Sequence, residues 1–358
     1  MAFIWNSVVS LLVLVVLAAA IGSAAYTWVK SVAFERQFPP LGTFVRVDQR
    51  LVHYIDHPAS DPTPDHVPLF FVHGASGNLR DPRLAFADSL GETQRLIFAD
   101  RPGHGHSDYL PGHADPRRQA AHLVGLMDEL NIDQVVLVGH SMGAAVAVTL
   151  AVDYPERVVG LLLLAPATHP WPGGVAWHNH VAAIPLIGHA FTHMVTLPVG
   201  LDRLEEAVDT TFWPQRKPGT YLNDIGAFLA LRPKAFRVNA AEIAALHRHV
   251  TAYRERYSEI RVPVEIVTGD ADQTVLWTIH SRGLEADITD AHLTIIPNGG
   301  HMPHHSHPDV VSEALKRLLD RVADPAQVGL LGQMSSTHTE ALGGLINEKT
   351  APREVGLG

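Results

Sequence analysis

Between Val135 and Val148 the chain reads VVLVGHSMGAAVAV, and this stretch restricts the possible fold more than any other. Its first four residues are aliphatic and mostly β-branched with no polar alternation, as expected of a strand covered by helices on both sides of a parallel sheet. A knot of small and polar residues follows, Gly139-His140-Ser141-Met142-Gly143, and then an alanine-rich run that favours helix. A strand that becomes a helix across so few residues needs backbone angles that most side chains resist, and the two glycines give the neighbouring backbone room. An ordinary turn would look the same locally. The rest of the chain has to separate the two readings.

Similar apolar runs recur at Pro68–Gly74, Arg95–Asp100, Val158–Ala167, Val262–Asp270 and His292–Asn298, with helical patterns at Pro116–Leu130, Ala144–Tyr154 and Pro308–Val322 between or after them. Strands alternating with helices indicate an open parallel sheet. Two shorter alternating pieces, GTFVRVDQ and LVHYIDH, precede it as an antiparallel pair, separated from the core by the loop PASDPTPDHVP. From His169 to about Glu259 the rhythm is helical only. The expected class is therefore α/β: a mostly parallel central sheet with helices on both faces and an α-helical cap inserted. The expected division is 1–30 anchor, 31–168 first part of the core, 169–259 cap, 260–323 second part of the core, and 324–358 a disordered tail.

The segment from Ala2 to Val29 carries no charged side chain, and its apolar heart spans Val8 to Ala25. A bilayer core takes roughly 20 apolar residues of helix, whereas a signal-peptide core usually has about 7–15 with basic residues before it. None precede this one. Tyr26 and Trp28 with Lys30 and Arg36 beyond them match an interfacial aromatic belt with basic anchors. The expected reading is a single-pass N-terminal membrane anchor, with a cleaved signal or a buried core helix as alternatives. The side of the membrane stays open, because long domains can cross regardless of flanking charge. A formal charge of −10 with no basic block speaks against nucleic acid as a partner. The chain has no cysteine, which removes thiolate metal sites and a cysteine nucleophile.

The chemistry concentrates at three loops. Gly139 to Gly143 forms G-x-S-x-G between a strand and a helix, a context that holds the serine Oγ exposed on a strained turn. A serine hydroxyl is a weak nucleophile unless a histidine takes its proton and an acid orients that histidine. Both follow in chain order: VTGDADQTV puts Asp270 and Asp272 just past one strand, and NGGHMPHH puts His301 just past the next. With FFVHGASGN and FADRPGHGHSD also in place, the chain resembles the α/β-hydrolase superfamily over roughly Pro39 to Val322.

That resemblance implies Ser141 as nucleophile, His301 as general base and then acid, and Asp272 as the orienting carboxylate, preferred over Asp270 because it stands three residues after Gly269. It implies an oxyanion hole from the backbone N–H groups of Ala75 and Met142. Ala144 departs from the third glycine that many relatives carry. His73, His104 and His106 read as structural loop residues, with Asp100 and Arg101 shaping the same turn. The cluster His301, His304, His305, His307 allows a metal reading, but one member is needed by the triad; no metal and no cofactor are expected. A serine at position 141 excludes the aspartate-based dehalogenases and epoxide hydrolases of the same superfamily. The expected activity is carboxylic ester cleavage through an acyl-enzyme, on a small lipophilic substrate. Alternatives are hydrolysis of a carbon–carbon bond in a vinylogous diketone with the same triad, and a binding protein that has lost catalysis. Trp171, Trp177, Phe191, Met194 and Phe212 offer either an apolar wall for an acyl chain or the core of the cap itself.

Overall fold

The computed structural model describes residues 2–60 and 67–323; part of the loop before the core and the expected tail lie outside the described residues. In chain order the strands are β1 (Thr43–Val47), β2 (Arg50–His57), β3 (Leu69–Val72), β4 (Leu96–Ala99), β5 (Val135–His140), β6 (Val158–Leu164), β7 (Val264–Gly269) and β8 (Ala291–Ile296). They form one sheet in the order β1-β2-β4-β3-β5-β6-β7-β8. β2 runs antiparallel to both of its neighbours, and every pairing from β4 to β8 is parallel.

Helices α1 (Ala2–Gln37), α2 (Arg80–Leu90), α3 (Pro116–Glu129) and α4 (Met142–Asp153) precede β6. Between β6 and β7 stand the helices α5 (Trp177–Ala183), α6 (Ile187–Phe191), α7 (Leu197–Phe212), α8 (Tyr221–Asp224) and α9 (Pro233–Tyr253), with short 3-10 and π turns joining them. α10 (His280–Asp287) lies between β7 and β8, and α11 (Pro303–Ser306) and α12 (Pro308–Val322) follow β8.

Alternate residues of each central strand serve opposite faces, because successive side chains of a strand point to opposite sides. Phe70, Val72, Val135 and Leu137 pack with α3 and α4, whereas Leu69, Phe71, Val136 and Val138 pack with α2 and α12. All eight are buried, which explains why these strands read as unbroken apolar runs. At about 1.5 to 3 kcal/mol for each fully buried aliphatic or aromatic side chain, the sheet is the stable platform of the molecule.

α1 is unusual in length. At 36 residues it is about 54 Å long, well beyond the ~30 Å of a bilayer core. Residue 30, expected as the end of the anchor, lies inside this helix, which stops only before Phe38-Pro39-Pro40, where proline cannot continue it. From Trp5 to Ala19 its side chains are exposed and mostly apolar, while Thr27 and Phe34, and Phe38 just past its end, are buried. Phe34 and Phe38 pack with Leu197, Leu229 and Leu231 of the inserted helices, and both rings lie against Phe228, at 5.2 and 5.8 Å between centroids. Glu35 pairs with Arg232 at 2.8 Å. The long helix is thus two things in series: a bare apolar rod, then an amphipathic end docked on the insert.

Candidate active site

Ser141 stands between β5 and α4 at φ +53°, ψ −119°, a left-handed conformation that non-glycine residues rarely adopt. The surroundings leave no slack to relax it. Its N–H donates to the Leu164 carbonyl at 2.9 Å, and its carbonyl accepts from Ala144 and Ala167, both at 3.1 Å. Gly143 is required by close approach: a Cβ there would come within 2.1 Å of the Val72 carbonyl oxygen at the end of β3. Gly74 is required from the other side, since a Cβ would reach 2.9 Å from His140 Nδ1 and 3.3 Å from Ser141 Cβ. The two glycines press the loop after β3 against the turn after β5. The loop that carries Ala75 therefore lies beside Ser141, and Met142 opens α4 directly after it.

His301 and Asp272 come from the loops after β8 and β7. His301 Nδ1 donates to Asp272 Oδ2 at 2.7 Å, and both residues are buried. The other carboxylate oxygen, Oδ1, accepts the backbone N–H groups of Thr274 at 2.7 Å and Val275 at 2.9 Å, so both oxygens are engaged and the carboxylate cannot rotate freely. Asp270, the competing acid, is exposed and accepts from the Asn298 N–H at 2.6 Å, bracing the turn instead. His140, next to Ser141, donates from Nε2 to the His301 carbonyl at 3.0 Å, with the two rings 4.9 Å apart. The neighbour of the serine is thus tied to the backbone of the histidine.

A second network supports the loop after β3. His73 donates from Nδ1 to the Gly74 carbonyl at 2.9 Å and accepts at Nε2 from the Arg101 N–H at 2.9 Å. Burial, then the Arg101 cation, pushes its imidazole down to about 3, so it stays neutral. The fully buried Arg101 guanidinium donates to the carbonyls of His73 and Gly74, to Gln119 and to Glu242 of α9, the last at 2.9 Å. His104 Nε2 also donates to Glu242, at 2.9 Å. Burial alone would raise the Glu242 carboxyl, but Arg101 and His104 override it and hold it at about 2. Asn239, one turn earlier on α9, accepts the Ser76 N–H at 2.6 Å and donates to its hydroxyl at 3.0 Å. Nothing in the sequence marked Asn239 or Glu242, which lie more than 120 residues from their partners.

A third group, Asp81, His140 and His304, places one ligand-type atom from each within 4.8 Å of the others. Asp81 also accepts from Tyr221 and from His305, each at 2.7 Å. Both of these bonds go to Oδ1, while Oδ2 faces His304 Nε2 at 3.4 Å. Burial pushes the Asp81 carboxyl up, yet His305 and His304 hold it well below the usual range. Of the five candidate wall residues, Trp171 packs beside Met142 and Ala145 at the elbow, together with Ile243, Leu246 and Val250 of α9. Phe212 is buried against Tyr221, Ile225 and Met302, and Trp177 is exposed. Phe191 meets Trp177 ring to ring at 6.0 Å, and the Met194 carbonyl accepts from Ser23 of α1.

Comparison with known proteins agrees with this arrangement of the sheet. A dihydrolipoyllysine-residue acetyltransferase component of the acetoin cleaving system from Cupriavidus necator is 38% identical over 98 residues, which cover 27% of this chain and 26% of that protein. The chain therefore matches only about a quarter of the length of that relative. A 2-hydroxy-6-oxononadienedioate/2-hydroxy-6-oxononatrienedioate hydrolase from Comamonas testosteroni is 28% identical over 222 residues, 60% of this chain and 73% of that one. Among solved structures, a membrane phospholipase A described as a bacterial virulence factor superposes with a TM-score of 0.62 at 20% identity, covering 90% of this chain and 100% of that one, a likeness of fold. The family model described as "Alpha/beta hydrolase family" matches residues 69–314, which hold β3 to β8 and the loops that carry Ser141, Asp272 and His301. On that match the chain belongs to the alpha/beta hydrolase family.

Proposed function

We propose that this chain is a membrane-anchored serine hydrolase that cleaves carboxylic esters through an acyl-enzyme on Ser141. One observation carries the reading: a serine held at φ +53° between strand and helix, with a buried histidine tied to its neighbour and oriented by a carboxylate at 2.7 Å. In the proposed reaction His301 Nε2 takes the Ser141 proton as Oγ attacks the ester carbonyl. Asp272 stabilises the resulting imidazolium through Nδ1–H. The backbone N–H groups of Ala75 and Met142 hold the tetrahedral oxyanion, the first by way of the loop that Arg101 and Asn239 brace. Collapse expels the alcohol, which takes the proton from His301. A water deprotonated by the same imidazole then releases the acid and restores Ser141.

The helices between β6 and β7 act in this reading as a cap, with Trp171, Ile243, Leu246 and Val250 as the apolar surface next to the elbow. The exposed apolar length of α1, preceding a docked end, supports the anchor, and an anchored site favours lipophilic substrates. Carbon–carbon hydrolysis of a vinylogous diketone is the second reading. It is favoured by the 28% identity to the Comamonas testosteroni hydrolase, whose name describes such a substrate. A fluorophosphonate probe should label the protein and fail on Ser141→Ala. Labelling that survives the substitution would refute the nucleophile, and an unlabelled native protein would favour a binding role. p-Nitrophenyl esters of rising chain length, assayed beside a ring-cleavage diketone, then separate the two chemistries.

A further inference from the structure

From the surface of the cap we infer a second membrane contact: the α5–α6 hairpin and the segment up to Val199 dip into the lipid leaflet that holds α1, at the boundary of headgroups and acyl chains. The inference rests on the anchor reading of α1 and deepens it, because it names where else the same bilayer touches the enzyme.

Four observations converge. Between Arg157 and Asp202 the chain has no Asp, Glu, Lys or Arg, so this part of the cap brings no fixed charge of its own into a low-dielectric zone, with the Arg237 guanidinium of α9 against His189 as a cation beside it. Beyond α1, thirteen large apolar side chains are exposed among the described residues, and six of them, Trp177, Ile184, Leu186, Ile187, Val195 and Val199, fall within this one segment. An apolar concentration of that kind on a surface marks an interaction site. Leu186 forms the tip of the hairpin: it is 82% exposed and stands at φ +63°, where a leucine is strained. Such a residue neither fills a core nor relaxes its own backbone, so its display is a property of the fold.

The fourth observation sets the depth. Ser23 of α1 donates its hydroxyl to the Met194 carbonyl, which pins the patch to a definite level of the anchor. Tyr26 and Trp28 mark the interface by their amphipathic rings. Ser23 lies three residues nearer the apolar end than Tyr26, about 4.5 Å deeper at 1.5 Å per residue. Whatever packs at the level of Ser23 and is exposed therefore faces lipid. A bilayer is preferred to a second protein as the occupant because the patch is continuous with a helix that already requires one. The arrangement resembles an interfacial helix, which buries its apolar side about 5 to 10 Å into the headgroup and acyl boundary. It also leads inward: α5 packs on α9, and α9 presents Ile243, Leu246 and Val250 to the elbow.

The absence of cysteine makes the test direct. Full-length Leu186→Cys and Ile187→Cys, each labelled with an environment-sensitive nitrobenzoxadiazole, are reconstituted in phosphatidylcholine–phosphatidylglycerol vesicles beside Leu14→Cys in the anchor and Lys316→Cys on the exposed face of α12. The expected result is a blue shift at 186 and 187, quenching by lipids that carry a doxyl group just below the headgroup, and protection from aqueous iodide. Position 14 should respond to doxyl groups deep in the chain, and position 316 to iodide alone. If 14 is quenched by lipid while 186 and 187 stay open to iodide, the anchor stands and this inference falls. Should 186 and 187 be shielded from iodide yet untouched by doxyl lipid, a protein covers the patch and the inference also falls. Lack of lipid quenching at position 14 would overturn the anchor and the inference together.

Discussion

The carboxylates at 270 and 272 show how far one residue's role depends on its two oxygens. Chain order alone leaves both in contention, since they sit two apart after β7. In the fold Asp272 spends Oδ2 on His301 and Oδ1 on two backbone N–H groups, while Asp270 braces Asn298 at the surface. Replacing Asp272 by Asn keeps the volume but removes the charge and the acceptor facing Nδ1–H. On the triad reading, kcat for a p-nitrophenyl ester should fall on the order of 10⁴-fold, whereas Asp270→Asn should stay within about tenfold. Comparable losses in the two variants would contradict the assignment of the acid. The three loops were legible as motifs because a strained serine, its acid and its base each need a particular residue type. Which of two neighbouring acids faces the imidazole was legible only through the family's spacing after Gly269; in the fold it follows from side-chain direction, and His301 meets Asp272.

At the scale of the element, α9 does the work that local sequence conceals. It is a 21-residue helix whose buried side carries Asn239 and Glu242, each hydrogen-bonded to the core rather than to other helices of the insert. Glu242 neutralises an Arg101 that is fully buried and that holds the carbonyls of the loop after β3. Truncation by Glu242→Ala leaves that cation unpaired, and the expected loss is about 3 to 5 kcal/mol in urea unfolding. A loss below about 1 kcal/mol would show that water replaces the carboxylate. Asn239→Ala removes both the acceptor for the Ser76 N–H and the donor to its hydroxyl. If those bonds position the oxyanion loop, kcat should drop about tenfold with KM nearly unchanged, and a change confined to KM would argue for a role in substrate binding alone.

For the whole molecule, buried titratable groups set the response to acid. His73 has its folded pKa at about 3 against an ordinary 6.5, and Glu242 at about 2 against 4.5. Both are depressed, so the unfolded chain binds protons more readily in the intervals between. Their contributions are complete above the unfolded values. They fade as pH falls, from 6.5 toward 3 for the histidine and from 4.5 toward 2 for the glutamate. The urea midpoint should accordingly decline between pH 7 and pH 5, before most carboxylates titrate; a constant midpoint over that range would be inconsistent with a neutral buried His73. The two parts of α1 make a separate prediction. Deleting residues 1–26 should release the protein from the membrane fraction while its melting temperature holds within a few degrees. Deleting residues 1–38 removes Phe34 and Phe38 from Leu197, Leu229 and Leu231 and should lower it by roughly 10 °C.

The one-dimensional pattern was sufficient for the sheet, the elbow and the apolar N-terminal helix, because each depends on neighbours within a few positions: strand runs, close glycines, uncharged length. Asp81, Asn239 and Glu242 gave no such signal, since a buried polar residue is recognised only by partners that folding brings from more than a hundred positions away. The end of α1 belongs to the same class. Composition marks where apolar residues stop, but the packing of Phe34 and Phe38 on the inserted helices decided that the helix continues beyond that point and is held to the cap. Short-range sterics and hydrophobic period are written along the chain, whereas burial and pairing of charge exist only after distant segments meet.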